Sequence, residues 1–380
     1  MTRETQGSRA RTLAVLYPAF ALTGVLHSIG GPLMPSMAAT FHLRDSQSGL
    51  LFFLYFGGSS IGALLCRWNY ARSMAIGFVG AAACCLGMAA AGPRMLPVIF
   101  FLLGIGVGVP MSAISLYVGR AFPERCAPLL TFLNFVWSAG ALAAPLIAAR
   151  ILVHHMYRSA YAWLAVPSLV AAVACGVLLK DAPEPSHAQR SSARANSLAL
   201  IVAFAMAAFL QVGVENTSTA WLSTYVMREA GIGAALAAAA TSVYWIGFLA
   251  SRGVCSAVLL RARAKTVFLF AVGLALAASL MLAVKPSASG NQAAMFMLGV
   301  GLAPIYPLLI AEFLARASHT SEARWVMATA GFGGSVTPWL AGWISSRTGS
   351  LRLGMLTIPA SIALMVALLP MLRGSRQKAS

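Results

Sequence analysis

KDAPEPSHAQRSSARAN, residues 180–196, is the one long polar stretch inside a chain of 380 residues. It mixes Pro, Ser and charges of both signs and has no apolar periodicity, the composition of a linker. On one side stands YAWLAVPSLVAAVACGVLL (161–179), on the other SLALIVAFAMAAFLQV (197–212). Working outward, apolar runs of about 20 residues, the length that crosses ~30 Å of hydrocarbon, recur six times before the linker and six times after it. They cover 12–34, 47–66, 72–91, 95–118, 127–151 and 158–179, then 197–222, 235–258, 265–284, 290–315, 323–345 and 352–372. None alternates as a barrel strand does, and backbone in lipid must satisfy itself, so each is expected to be a helix.

The composition agrees. The chain is 59% hydrophobic and 9% charged, with a mean hydropathy of +0.80, against about 25% charged residues in a soluble domain. The expectation is an all-α integral membrane protein of twelve transmembrane helices. An N-terminal six-helix bundle would occupy 1–180, a cytoplasmic linker 181–196 and a C-terminal six-helix bundle 197–380. The basic N-terminus precedes an apolar run of about 22 residues, longer than a signal peptide core of about 7–15, so it is read as a retained first span.

The net charge of +18 would suggest nucleic acid on a soluble protein. Here the basic residues sit in short loops, with no basic helix or aromatic platform, and nucleic-acid binding is excluded. They report topology instead. With the N-terminus in the cytoplasm, nineteen of the 27 Lys and Arg fall on the cytoplasmic side. The other side holds eight: Arg44, Arg94, Arg150, Arg158, Arg228, Lys285, Arg347 and Arg352. Positive residues stay inside, so both termini are placed in the cytoplasm, across what would be a bacterial inner membrane. Six cysteines without Cys-x-x-Cys spacing or nearby His imply neither disulfides nor a metal, and no cofactor is expected.

The halves resemble each other. LGIGVG at 103–108 matches LGVGLA at 298–303. GALAAP from Gly140 matches GGSVTP from Gly333, and GALLCR from Gly62 matches GFLASR from Gly247. Offsets of 185–195 in one order argue for a duplicated six-helix unit, the parallel repeat of a large class of secondary transporters.

GPLMPSM in the first span, GVENTSTAWLSTY in the seventh and YWIGFLASR in the eighth carry a further likeness. LGVGLAPIYPLLIAE in the tenth and GFGGSVTPWLAGWIS in the eleventh extend it. With these motifs the chain resembles the major facilitator superfamily, and within it the branch of fucose and glucose/galactose permeases. The resemblance implies alternating-access transport of a small neutral polar solute such as a sugar, with proton or Na⁺ coupling left open. It departs from the family in the loop after the second span, GALLCRWNYAR, where Cys66 and Asn69 replace the usual Asp and Gly. Positions where the branch carries carboxylates in helices one and four hold Gly31 and Met111.

Glu215 is an acid well inside a span, where charge is expensive unless wet, paired or protonated. Either it contacts solute or coupling ion, or with Asn216, Thr217, Ser218 and Thr219 it caps a locally broken seventh helix; both readings stay open. His27, Asn134, Trp137, Tyr244, Trp245, Tyr306 and Trp339 are the further candidates for a polar and aromatic pocket, while Trp221 and Tyr225 are expected at the outer interface. The resemblance also implies a cytoplasmic gate, in which Arg252 and Glu312 form a latch beside Arg67; the competing reading is snorkelling side chains. Two alternatives remain: an exporter of drug-like or hydrophobic compounds, and a non-transporting receptor or structural protein on the same fold. Neither an enzyme's dyad nor a nucleotide loop is present. The expected partners are a small solute, lipid and at most a proton or Na⁺.

Overall fold

The computed structural model describes residues 3–66, 69–179, 198–284, 288–314 and 320–373. Every regular element among them is helical. The first seven helices are α1 (Arg3–Ser28), α2 (Gly30–Phe41), α3 (Asp45–Leu65), α4 (Tyr70–Ala90), α5 (Leu96–Ala121), α6 (Cys126–Leu152) and α7 (Tyr157–Leu178). Then follow α8 (Leu198–Ala230), α9 (Ala234–Leu259), α10 (Ala264–Ala283), α11 (Ala288–Leu302), α12 (Ile305–Leu314), α13 (Thr320–Thr348), α14 (Leu351–Met355) and α15 (Thr357–Arg373). The linker expected at 181–196 lies outside the described residues.

Among the described residues, eleven helical stretches are long and apolar enough to span a membrane, with α1–α2, α11–α12 and α14–α15 each counting as one. The remaining predicted span is α13, whose 29 residues reach about 43 Å at 1.5 Å per residue. Gly331, Gly333, Gly334, Ser335 and Thr337 dilute its hydropathy because it is a packing helix. The solvent these helices face is legible on α7. Ala160, Tyr161, Leu164, Ala172 and Cys175 are buried, yet Val166, Val170, Val173 and Val177 on another face are 63–75% exposed. A helix that is apolar on its buried face and on its exposed face belongs in lipid.

The chain divides into two compact units. One contains the chain up to His42, Leu54 through α7, and the first residues of α9, Ala234–Ala239; the other contains Leu43–Phe53, α8 and everything from Ala240 onward. Two helices, α3 and α9, therefore belong to both. Within the first unit α1 packs on α6, and α4 on both α5 and α7. Within the second the equivalent pairs recur: α8 on α13, and α10 on both α11 and α15.

The three matched sequence motifs are the crossings of this repeat. A Cβ added at Gly104 would stand 2.0 Å from the Tyr55 carbonyl oxygen, and one at Gly299 would stand 2.0 Å from that of Tyr244. Gly140 lies equally tight on Ala21 (2.0 Å) and Gly333 on Phe209 (2.1 Å). Gly62 and Gly247 meet Ile105 and Phe296 at 2.5 and 2.3 Å. Lipid gives helices little hydrophobic reason to associate, so backbone contact at small residues does that work. The duplicated glycines are where it is done.

Helix breaks fall elsewhere than the seventh span. α8 runs unbroken from Leu198 to Ala230. The Thr217, Ser218 and Thr219 hydroxyls each donate to the carbonyl one turn back, of Gly213, Val214 and Glu215. Such back-bonds leave the helix ladder intact. Prolines make the breaks instead. Pro32 has no N–H for the Ser28 carbonyl, and α1 yields to α2 at Ile29. Pro304 and Pro307 divide the tenth span into α11 and α12.

Candidate transport site

In the second unit the site is built around the α11–α12 break. Pro304 cannot donate to the carbonyl of Val300, and the Ser251 hydroxyl from α9 does so at 2.8 Å. Leu302, the last residue of α11, receives Gln211 Nε2 from α8 at 3.1 Å. Irregular backbone at membrane depth survives only where protein or cavity water satisfies it. Here Gln211 and Ser251 supply the missing donors.

One turn beyond Gln211 on the same face of α8 is Glu215. It keeps partial exposure while Val214 and Asn216 beside it are buried. The Arg252 guanidinium and the phenols of Tyr244 and Tyr306 lie within its electrostatic reach. Tyr244, Phe248 and Arg252 follow at i, i+4 and i+8 along α9. The guanidinium sits over the Phe248 ring, 4.7 Å from its centroid, a cation–π seat, and Trp245 closes the cluster with ring centroids 5.1 Å from Tyr244 and 5.2 Å from Phe248. The Tyr244 hydroxyl and the Gln211 amide oxygen are buried without a hydrogen-bond partner. Buried polar groups left unpaired cost about 1–3 kcal/mol each.

In the first unit His27, at the end of α1, is surrounded by rings. Phe56 lies 5.2 Å away, Trp137 5.4 Å and Tyr55 6.1 Å, centroid to centroid. The Tyr55 hydroxyl donates to the Leu26 carbonyl at 2.9 Å, fixing α3 to α1. Beside His27, the Ser28 hydroxyl is fully buried with no hydrogen-bond partner. An imidazole among aromatic faces next to an unpaired hydroxyl suits a ring with C–H faces and hydroxyl edges.

The predicted residues separate accordingly. Glu215, Arg252, Tyr244, Trp245 and Tyr306 come together, and so do His27 and Trp137. Asn134 is exposed, its amide donating to the Leu130 carbonyl at 2.9 Å, while Trp137 is buried. Asn216 is buried and ties α8 to α13 through the Gly334 carbonyl at 3.2 Å. Trp339 is 36% exposed and meets Phe53. Arg252 shares the Glu215 centre, whereas Glu312 borders a cavity of about 330 Å³ with Lys265, Phe268 and Leu372. Arg67 lies outside the described residues. Trp221 and Tyr225, expected at the interface, are 0% and 1% exposed: they donate to the carbonyls of Pro338 and Leu282 and pack within the protein.

Sequence reasoning passed over Gln211, Tyr55, Phe56 and Phe248. The signal for Gln211 was indirect: a break in the tenth span frees the carbonyls that end α11, Leu302 among them, and their donor must be a polar residue on a neighbouring helix. Among the described residues no group of His, Cys, Asp and Glu is placed to hold a metal.

The Major Facilitator Superfamily profile matches residues 16–324. A Brucella abortus (strain 2308) protein named glucose/galactose transporter is 25% identical over 361 residues, covering 87% of this chain and 86% of its own. The Bacillus subtilis (strain 168) glucose/mannose transporter GlcP is 21% identical, covering 91% of each chain. Among solved structures, a D-xylose-proton symporter superposes with a TM-score of 0.78 at 15% identity over 96% of this chain and 97% of its own. The nucleoside transporter NupG follows with 0.75 at 13% identity, over 95% and 99%. A profile spanning most of the chain, the duplicated helix packing and these superpositions agree: the chain is a multi-pass membrane transporter and belongs to the Major Facilitator Superfamily.

Proposed function

We propose that this transporter carries a neutral hexose-like sugar by alternating access through a bacterial inner membrane, with both termini in the cytoplasm. Residues 1–180 and 197–380 act as its two six-helix halves, joined by the linker 181–196. The observation that carries the sugar reading is the charge balance of the Glu215 centre. One carboxylate faces one guanidinium, and the unpaired partners are a phenol and an amide oxygen. An anion would meet Glu215 and a cation Arg252, whereas a hydroxyl both donates and accepts and satisfies the two orphans. The full-length likeness to two named glucose transporters supports the same class.

Glu215 is also the coupling candidate, and protons suit it better than Na⁺. Arg252 already supplies the positive charge that a bound Na⁺ would bring, while a proton neutralises the carboxylate where it stands. In the first unit, the aromatic cage of His27, Phe56 and Trp137 offers faces that suit the C–H face of a sugar ring.

Counterflow in proteoliposomes with a panel of hexoses, pentoses and nucleosides tests this. Exchange of labelled glucose, galactose or mannose, lost in Trp137→Ala, is expected. Exchange of an anion in place of all neutral sugars would overturn the reading. Protection of cells against antiseptics on overexpression, with no hexose exchange, would replace it with the exporter.

A further inference from the structure

Four helix ends of the second unit meet around the cavity of about 330 Å³ that Glu312 borders. They are the first two turns of α8 and α10 and the last two turns of α12 and α15. The walls are apolar: Phe204 comes from α8, Phe268 and Leu269 from α10, Leu309 from α12 and Leu372 from α15. Burial is graded along them. Phe204 and Leu309 are buried, Leu269 is 37% exposed, and Ala264 and Lys265 lie at the surface. Phe204 is itself packed on Phe313 of α12, ring centroids 5.2 Å apart. The cavity thus has a closed aromatic floor and a mouth at Lys265.

Two observations select the occupant. The first is polarity. A buried water wants about 2–4 polar partners, and the described lining side chains offer two polar heads, Lys265 and Glu312. Phe270, next to Leu269 in the chain, is 70% exposed, as a lipid-facing residue is, so acyl chains reach the mouth. The second is charge. Arg261 and Arg263, both exposed, precede Lys265 at two-residue spacing. Arg263 is the N-cap of α10, adjacent to the lining residue Ala264. Three cations stand there against one lining carboxylate.

We infer that the cavity binds one anionic phospholipid, an acyl chain filling it and the phosphate held by Lys265 with Arg263. Basic pockets between transmembrane helices at a membrane surface recognise such headgroups. Loop cations often do no more than set topology, but these stand over a cavity whose walls match an acyl chain. The lipid has a structural consequence. α12 is ten residues long and carries Tyr306, in reach of Glu215, at its start. A chain wedged against Leu309 braces the helix that places Tyr306. The inference rests on the membrane location of the chain and not on the identity of the sugar.

Native mass spectrometry of the full chain in detergent, titrated with phosphatidylglycerol, phosphatidylcholine or phosphatidylethanolamine, tests it. The parent is expected to retain phosphatidylglycerol about fivefold more tightly than phosphatidylcholine, the scale of one cation on an anionic lipid. Lys265→Gln should remove that preference. Arg72→Gln, which deletes an exposed cation at the start of α4 in the first unit, should keep it. Ala264→Trp places a ring in the mouth and should lower retention of both lipids. All three positions are exposed, so without lipid the variants should melt with the parent. Phosphatidylglycerol should raise the melting temperature of the parent and not that of Lys265→Gln. Glycerol phosphate, a headgroup without chains, should not compete. Equal retention of phosphatidylglycerol and phosphatidylcholine by the parent overturns the site, as does a preference that survives Lys265→Gln or falls equally in Arg72→Gln. Tighter retention of phosphatidylethanolamine, whose ammonium would answer Glu312, also overturns it, and so does displacement by glycerol phosphate, the mark of a soluble ligand.

Discussion

Gly140 and Gly333 offer the sharpest test of the duplicated architecture, because they are the same joint in two halves. Alanine at either position places a Cβ 2.0 or 2.1 Å from a carbonyl oxygen of the facing helix, at Ala21 or Phe209. An ordinary carbon–oxygen contact is about 1.2 Å longer, and the obstacle is backbone, which cannot rotate aside. Helices α1 and α6, or α8 and α13, must separate by about 1 Å. Overpacking of this kind costs about 1–3 kcal/mol. The unyielding neighbour puts it near 3, and the helix preference of alanine over glycine returns about 1 kcal/mol. A net loss of about 2 kcal/mol follows for each. Gly80 and Gly273, also helical, have nothing within 4 Å of an added Cβ, and alanine there gains up to about 1 kcal/mol by the same preference. Thermal unfolding of all four variants in one detergent should separate the pairs, with Gly140→Ala and Gly333→Ala melting below the parent and the other two at or above it. If Gly140→Ala and Gly333→Ala melt with the controls, or only one of the two falls, the shared joint is refuted.

Other substitutions test the site directly. Gln211→Leu removes the donor to the Leu302 carbonyl and should destabilise by about 1–3 kcal/mol, measured as a lower melting temperature; Ser251→Ala should do the same, more weakly, through Val300. Glu215→Gln leaves Arg252 without its charge balance, so pH-dependent accumulation of sugar should vanish while counterflow persists. If Glu215→Gln still accumulates sugar in response to a pH gradient, Glu215 is not the coupling group. Replacing both members, Glu215→Gln with Arg252→Gln, should recover thermal stability lost in the single variant, since removing one member of a buried pair costs more than removing the pair. Val170→Arg puts a cation in the exposed stripe of α7, where insertion is penalised by about 2.5–3.5 kcal/mol at mid-membrane. Membrane-integrated yield should drop sharply, whereas yield equal to the parent would mean that this face is not in lipid.

The membrane solvent, the helical class and the duplication were already present in the chain, because they follow from local quantities. An apolar run of spanning length has one fate in hydrocarbon, and its length and polarity are countable without neighbours. The matched glycines at 104 and 299, 140 and 333, and 62 and 247 marked the repeat for the same reason: a position that must lack a side chain shows as a bare residue type. Glu215, Arg252 and His27 stood out because charge or imidazole inside a span is rare and costly. Partnership was another matter. The tertiary structure brought Arg252 to Glu215, turned Trp221 and Tyr225 inward, and left the seventh helix unbroken. It also joined Asp45 to Arg228 and Ser345, residues 183 and 300 positions away. Which donor answers an orphaned carbonyl, and which cation answers an acid, depends on helix faces brought together by packing. No local property of the chain encodes that distance.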